Sequence, residues 1–150
     1  MNSNVKRHLP PHSYFRRSTH LVTFLDPTSV HPPGPAYSHS AVVPTDTELV
    51  FLSGQVGVRP DGSASAALDE QVAQVFANIF ALLAAHGLGA SAIVKLTTFL
   101  VAGQEIQTVR AARSRFLGGH RPASTLVFVS QLADPAWHVE IEVIAARSAV

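Results

Sequence analysis

Leu68, Val72, Val75, Phe76, Ile79, Phe80, Leu82 and Leu83 recur at i, i+4, i+7, i+8, i+11, i+12, i+14 and i+15. That is the period of an α-helix with one broad apolar stripe. Such a stripe cannot face water, so a second layer has to cover it. Asp69 and Glu70 lie in the first turn, where carboxylates meet the positive end of the helix dipole, and His86-Gly87 closes the helix. A second helix is expected over about Gln104 to Leu117. Ile106, Val109, Phe116 and Leu117 share one face, Arg110, Arg113 and Arg115 lie elsewhere, and Gly118-Gly119 terminates it.

The rest of the chain reads as strands and loops. Leu21 to Leu25 is a short strand ended by Asp26-Pro27. In His31-Pro32-Pro33-Gly34-Pro35 three prolines remove donors and fix φ, so this is a rigid extended loop that delivers Tyr37, Ser38 and His39 to a defined place. Ala41 to Val43 and Leu49 to Val58 read as strands joined by a hairpin-like turn at Pro44-Thr45-Asp46-Thr47, and Ser53-Gly54-Gln55 interrupts the second as a bulge or a close backbone approach. Ile93 to Val101, Thr125 to Val129 and His138 to Ala145 complete the strands. The order is β-β-β-α-β-α-β-β. Two helices cover one face of about six strands but not both, which predicts an α+β layer with both helices on one side. The other face is then polar or buried by another subunit, and the apolar strand 125–129 favours self-association.

Composition narrows the function classes. The 150 residues are 47% hydrophobic, enough for a substantial core and short for two. The net charge of +1 gives no nucleic-acid footprint. With no cysteine, thiolate catalysis, disulfides and Cys-ligated zinc are excluded. No apolar run approaches the roughly 20 residues of a membrane span. Lys6, Arg7, Arg16 and Arg17 place four positive charges in the first 17 residues, beside Pro10 and Pro11. Residues 1–18 therefore read as a basic, flexible extension, 19–150 as a single domain, and the cytoplasm as the expected location.

Few motifs carry chemistry. The eight histidines form no ligand cluster, and His8 and His12 are separated by prolines that forbid a helix, so no metal is expected. A nucleophile elbow, a phosphate loop and a dinucleotide fingerprint are all missing. Two features stand out. Ser53-Gly54-Gln55 offers backbone groups to a ligand, and Glu140 sits in the alternation Val139-Glu140-Ile141-Glu142-Val143. A subunit covering that face would bury Glu140, and a buried carboxylate needs a partner or a shifted protonation.

Taken in order, these pieces resemble the RidA (YjgF) family over about residues 20 to 148. The matching segments are Gly34-Pro35-Ala36-Tyr37-Ser38, Leu49-Val50-Phe51-Leu52-Ser53-Gly54-Gln55, His86-Gly87-Leu88, Ile93-Val94-Lys95-Leu96-Thr97-Thr98-Phe99, Arg121-Pro122-Ala123 and Val139-Glu140-Ile141-Glu142-Val143-Ile144-Ala145. The resemblance implies a chorismate-mutase-like α+β protomer in a homotrimer with ligand clefts between subunits. It also implies cofactor-free hydrolysis of 2-imino or enamino acids to 2-oxo acids and ammonia. Carried over by position, Glu140 is the catalytic acid/base, and Tyr37, Ser53, Gly54 and Ser124 are substrate contacts.

One departure matters. The deaminase pattern Pro-Ala-Arg-Ser reads here as Pro122-Ala123-Ser124-Thr125, so Ser124 replaces the arginine that grips the substrate carboxylate. Losing a buried charge-assisted pair costs about 2–5 kcal/mol. The expected substrate is accordingly an imine, enamine or related carbonyl compound other than a standard 2-imino acid. A non-catalytic ligand- or partner-binding trimer and a dedicated step of specialised metabolism are the alternatives. Arg110, on the second helix, is either a replacement cation that reaches the cleft beside Ser124 or a solvated helix arginine like Arg113 and Arg115; Arg121 is the poorer candidate because its loop would have to fold back.

Overall fold

The computed structural model describes residues 22–148, so the basic extension expected over residues 1–18 lies outside the described residues. Among the described residues six strands and two α-helices occur in the order β1 (Thr23–Leu25), β2 (Ser40–Val42), β3 (Thr47–Val56), α1 (Leu68–Ala85), β4 (Ile93–Val101), α2 (Ile106–Leu117), β5 (Ala123–Val129) and β6 (Val139–Ser148), with a 3-10 turn at Ala90–Ala92 before β4. No helix among the described residues is long and apolar enough to cross a membrane.

The six strands divide into a two-stranded ribbon, β1-β2, and a four-stranded sheet ordered β3-β6-β4-β5. The expected hairpin at Pro44-Thr45-Asp46-Thr47 does not form: β2 pairs with β1 through Phe24↔Ala41, whereas β3 pairs antiparallel with β6. The reason is length. β2 is only three residues long and Pro44 lies two residues beyond it, whereas β6 offers β3 a partner of equal length. β4 and β5 run parallel, and α2 is the crossover such a pair requires.

α1 packs on β3 and β6, and α2 lies beside it. Phe76, Ile79 and Leu83 of α1 meet Ile93, Leu96, Leu100, Val139, Ile141 and Val143 beneath them. Each such fully buried side chain contributes roughly 1.5–3 kcal/mol relative to exposure. Phe116 of α2 stacks on Phe76 at 4.9 Å, joining the two helices. Leu88 N–H donates to Leu83 O and Gly87, at φ 70°, turns the chain out of α1. Glu105 caps α2 by accepting from the Gln107 N–H at 3.0 Å.

α1 also carries Gln71 below its apolar stripe. Its Nε2 donates to Ser65 O at 2.7 Å and Ala136 O at 2.8 Å, and its Oε1 accepts from the His138 N–H at 2.8 Å. This wholly buried amide therefore ties three segments together. A Cβ at Gly57 would stand 2.7 Å from Gln71 Cα, so glycine is what lets the helix sit flush on the chain leaving β3. Asn78 Nδ2 adds donations to Val56 O and Val58 O at 3.1 and 3.0 Å.

The opposite face of the sheet has no such cover. Leu49, Phe51 and Val127 stand exposed there, Phe51 at 69%. β5 is an edge strand whose Phe128 is also exposed. The two-sided apolar character read from this strand is thus left open in a single chain.

Candidate functional site

The candidate residues fall into two groups on opposite sides of the sheet. The first lies where the proline-rich loop meets α2. Ser38 N–H donates to Pro122 O at 3.2 Å, and Arg121 Nη2 donates to Tyr37 O at 3.1 Å and pairs with Asp26 at 3.6 Å. Asp26 Oδ1 accepts the His39 N–H at 2.7 Å, while His39 Nε2 meets His31 O at 2.7 Å. The Tyr37 ring stands edge-on to His39 at 5.9 Å. These bonds anchor the loop to the start of β5 and to Asp26. Arg121 is committed to that anchoring.

Tyr37 forms one wall of a cleft of about 520 Å³ whose other wall is α2, through Gln107, Arg110, Arg113 and Ser114. The side chain on Ser124 is that of Arg113, not Arg110: Arg113 Nη1 donates to Ser124 Oγ at 2.6 Å. Arg110 lines the same cleft but remains exposed. Arg113 Nε is buried without a hydrogen-bond partner. Desolvation and the adjacent Arg110 charge hold this guanidinium below the usual arginine range, and Tyr37 acts in the opposite sense; it remains a cation at neutral pH.

This corrects the reading of Arg113 as solvated; Arg110, read as a cleft cation or a solvated arginine, lines the cleft without bonding Ser124. The signal was in the spacing. Val109 and Leu117 are both buried, and Arg113 lies four residues from each, on their stripe. Arg110 is one residue off it. Arg115 does project outward, its guanidinium 4.6 Å from the Phe116 ring centroid.

The second group is on the uncovered face. Register between β3 and β6 shifts between Leu52 and Gln55, so Ser53-Gly54 forms the expected irregularity. A Cβ on Gly54 would fall on Glu140 Oε1: the carboxylate of β6 lies directly over this glycine, and any larger residue would expel it. Ser53 is exposed beside them. Val56 and Phe99 flank Glu140 on the neighbouring strands.

Within one chain these groups do not meet. Ser124 is level with Leu96, on the helix side, and Leu96 with Val143; Glu140 lies three residues along β6 on the other face. The two backbones are about 14 Å apart along the sheet, with the sheet itself between the side chains. Another cleft, of about 560 Å³ between Phe24 and the Gly87-Leu88-Gly89 turn, gathers none of the candidates, and its His120 is occupied by Ile93 O at 2.7 Å. Among the described residues no group of three His, Asp or Glu is placed to hold a metal ion.

Known proteins share this arrangement of elements. A family model described as Endoribonuclease L-PSP matches residues 28–147. The chain is similar to the 2-iminobutanoate/2-iminopropanoate deaminase of Escherichia coli K12, with 34% identity over 103 residues, 66% of this chain and 80% of that protein. Among solved structures it is similar to the Rid-family protein YyfB of Yersinia pestis, at TM-score 0.75 and 26% identity over 83% of this chain and 97% of that one. It is also similar to E. coli TdcF with bound serine, at TM-score 0.63 and 29% identity over 76% and 94%.

Proposed function

The chain belongs to the RidA/YjgF family, and on that premise we propose that it is a cofactor-free hydrolase of carboxylate-bearing imines or enamines, acting in clefts between the subunits of a homotrimer. The observation that carries this reading is the Arg113 guanidinium on Ser124 Oγ. Ser124 in place of the family arginine argues against ordinary 2-imino acids only if the cleft has no other cation. An arginine arriving from the helix removes that ground and supports a substrate acid group held at Arg113.

Two further observations support an inter-subunit site. Glu140 and Ser124 lie on opposite faces of one sheet, so a cleft using both needs two copies. Leu49, Phe51 and Val127 offer an apolar surface for that contact. In the proposed reaction Arg113, Ser124 and Tyr37 hold the substrate, and the backbone at Ser53-Gly54 positions it. Glu140 orients a water and takes its proton as the water oxygen bonds to the imine carbon and the C=N electron pair moves to nitrogen. Glu140 returns that proton to the nitrogen, giving a carbinolamine, and then carries the hydroxyl proton to the nitrogen as the oxygen lone pair forms the C=O bond and the C–N electron pair leaves with nitrogen, giving the 2-oxo acid and ammonia.

The test generates 2-iminobutanoate and 2-iminopropanoate in situ and follows their disappearance. The natural chain accelerates it, and Glu140→Gln and Arg113→Gln each lose about 30-fold or more. A natural chain that assembles yet leaves the imine decay unchanged would overturn the reading in favour of a non-catalytic ligand-binding trimer.

A further inference from the structure

We infer that the cleft between Tyr37 and α2 takes a dicarboxylate: a 2-imino acid, or its 2-oxo product, with a second carboxylate at its far end. The inference rests on the proposed function for where the first carboxylate binds, at Arg113 and Ser124, and adds a second subsite at Arg110 and Gln107. Three observations carry it. Arg110 and Arg113 line one cleft, and no acidic residue lines it with them. Among the described residues neither forms an ion pair, whereas Arg59, Arg121 and Arg147 all do. Finally, the apolar Gly34-Pro35-Ala36 stretch lines the cleft beside Tyr37, which suits a short carbon chain.

Spacing sets the class. Arg110 and Arg113 are three residues apart on α2, which separates their Cα atoms by about 4.5 Å along the axis. Two guanidinium groups offset by less than one turn suit the carboxylates of a four- or five-carbon diacid, each gripped by its own fork. A monocarboxylate answers one charge and leaves Arg110 uncompensated beside Arg113 on the same wall of the cleft. Desolvation, and then the Arg110 charge, depress the affinity of Arg113 for its proton, so the two guanidinium groups repel one another. Gln107, one turn before Arg110, adds an amide donor to the second subsite.

The experiment compares 2-iminoglutarate with 2-iminobutanoate, generated in situ, and separately measures calorimetric binding of 2-oxoglutarate against 2-oxobutanoate, all on the full assembled chain. In both pairs the diacid is preferred by about tenfold or more, the scale of one charge-assisted contact. Arg110→Gln collapses the preference by lowering the diacid value more than the monoacid value, and Arg110→Lys restores part of it. Equal values for the two classes, or an Arg110→Gln ratio like that of the natural chain, overturn the subsite. If no imine turns over but 2-oxoglutarate outbinds 2-oxobutanoate through Arg110, the hydrolase reading falls and the subsite stands.

Discussion

Gln71 and Arg113 are both polar side chains that a helix carries beneath its solvent face, and they end in opposite states. Gln71 is wholly buried, and its amide donates twice and accepts once. Arg113 makes one bond, to Ser124, and keeps a buried Nε with no partner. A buried polar group whose bonds are complete is a fastener. One left incomplete beside a cleft costs stability in the free protein and recovers it when something binds. The α1 end of the molecule is finished in a single chain; the α2 end keeps an incompletely bonded guanidinium at the cleft proposed to bind substrate.

The sharpest way to break this comparison is Arg113→Met. Turnover of a carboxylate-bearing imine falls about 30- to 4,000-fold, the equivalent of losing a buried charged contact of about 2–5 kcal/mol. Folding stability, followed by urea denaturation, stays level or rises by up to about 1 kcal/mol because a buried unsatisfied donor disappears. A fall of more than that would make Arg113 a fastener too. Gln71→Leu has the reverse profile. It strands the His138 N–H and the carbonyls of Ser65 and Ala136, so stability drops by about 3 kcal/mol while the ratio of diacid to monoacid turnover holds.

Smaller effects come from polar contacts that neither fasten nor bind. The Arg147–Glu48 pair is short, at 2.6 Å, but both side chains are largely exposed, and Glu48→Gln costs less than about 1 kcal/mol by the same denaturation measurement. Asp61 accepts the Ser63 N–H at 2.9 Å and its hydroxyl at 2.7 Å, which hold its carboxyl below the ordinary 3.8. Its pKa is lower folded than unfolded, so its contribution is complete above the unfolded value and lost as pH falls through the folded one. The stability gap between the natural chain and Asp61→Asn is therefore small at neutral pH and narrows below about pH 4 in acid titration.

Much of the fold could be read from periodicity. The stripe from Leu68 to Leu83 became α1, and the alternation Val139-Glu140-Ile141-Glu142-Val143 became β6 with its apolar members under the helices. Pairing was less legible. Nothing in residues 41–43 says that they join Thr23–Leu25 and not β3, because partner choice depends on which segments are brought near and how long they are. For the site, Gly54 and Glu140 were legible as a glycine and a carboxylate in unusual strand positions, and the structure stacks one on the other. Arg113 was hidden by its chemistry: a charged residue at a core spacing invites the assumption that it points outward, although a long stem can stay buried while its head finds Ser124. Reading position before polarity would have separated it from Arg110.

The contact of Glu140 with Gly54 makes position 54 a remote control for a residue on another strand. Gly54→Ala adds one methyl group and leaves the Glu140 side chain chemically intact, yet that carboxylate can no longer rest where it does. A variant of this kind asks where the acid group must stand, separately from whether an acid group must be there at all.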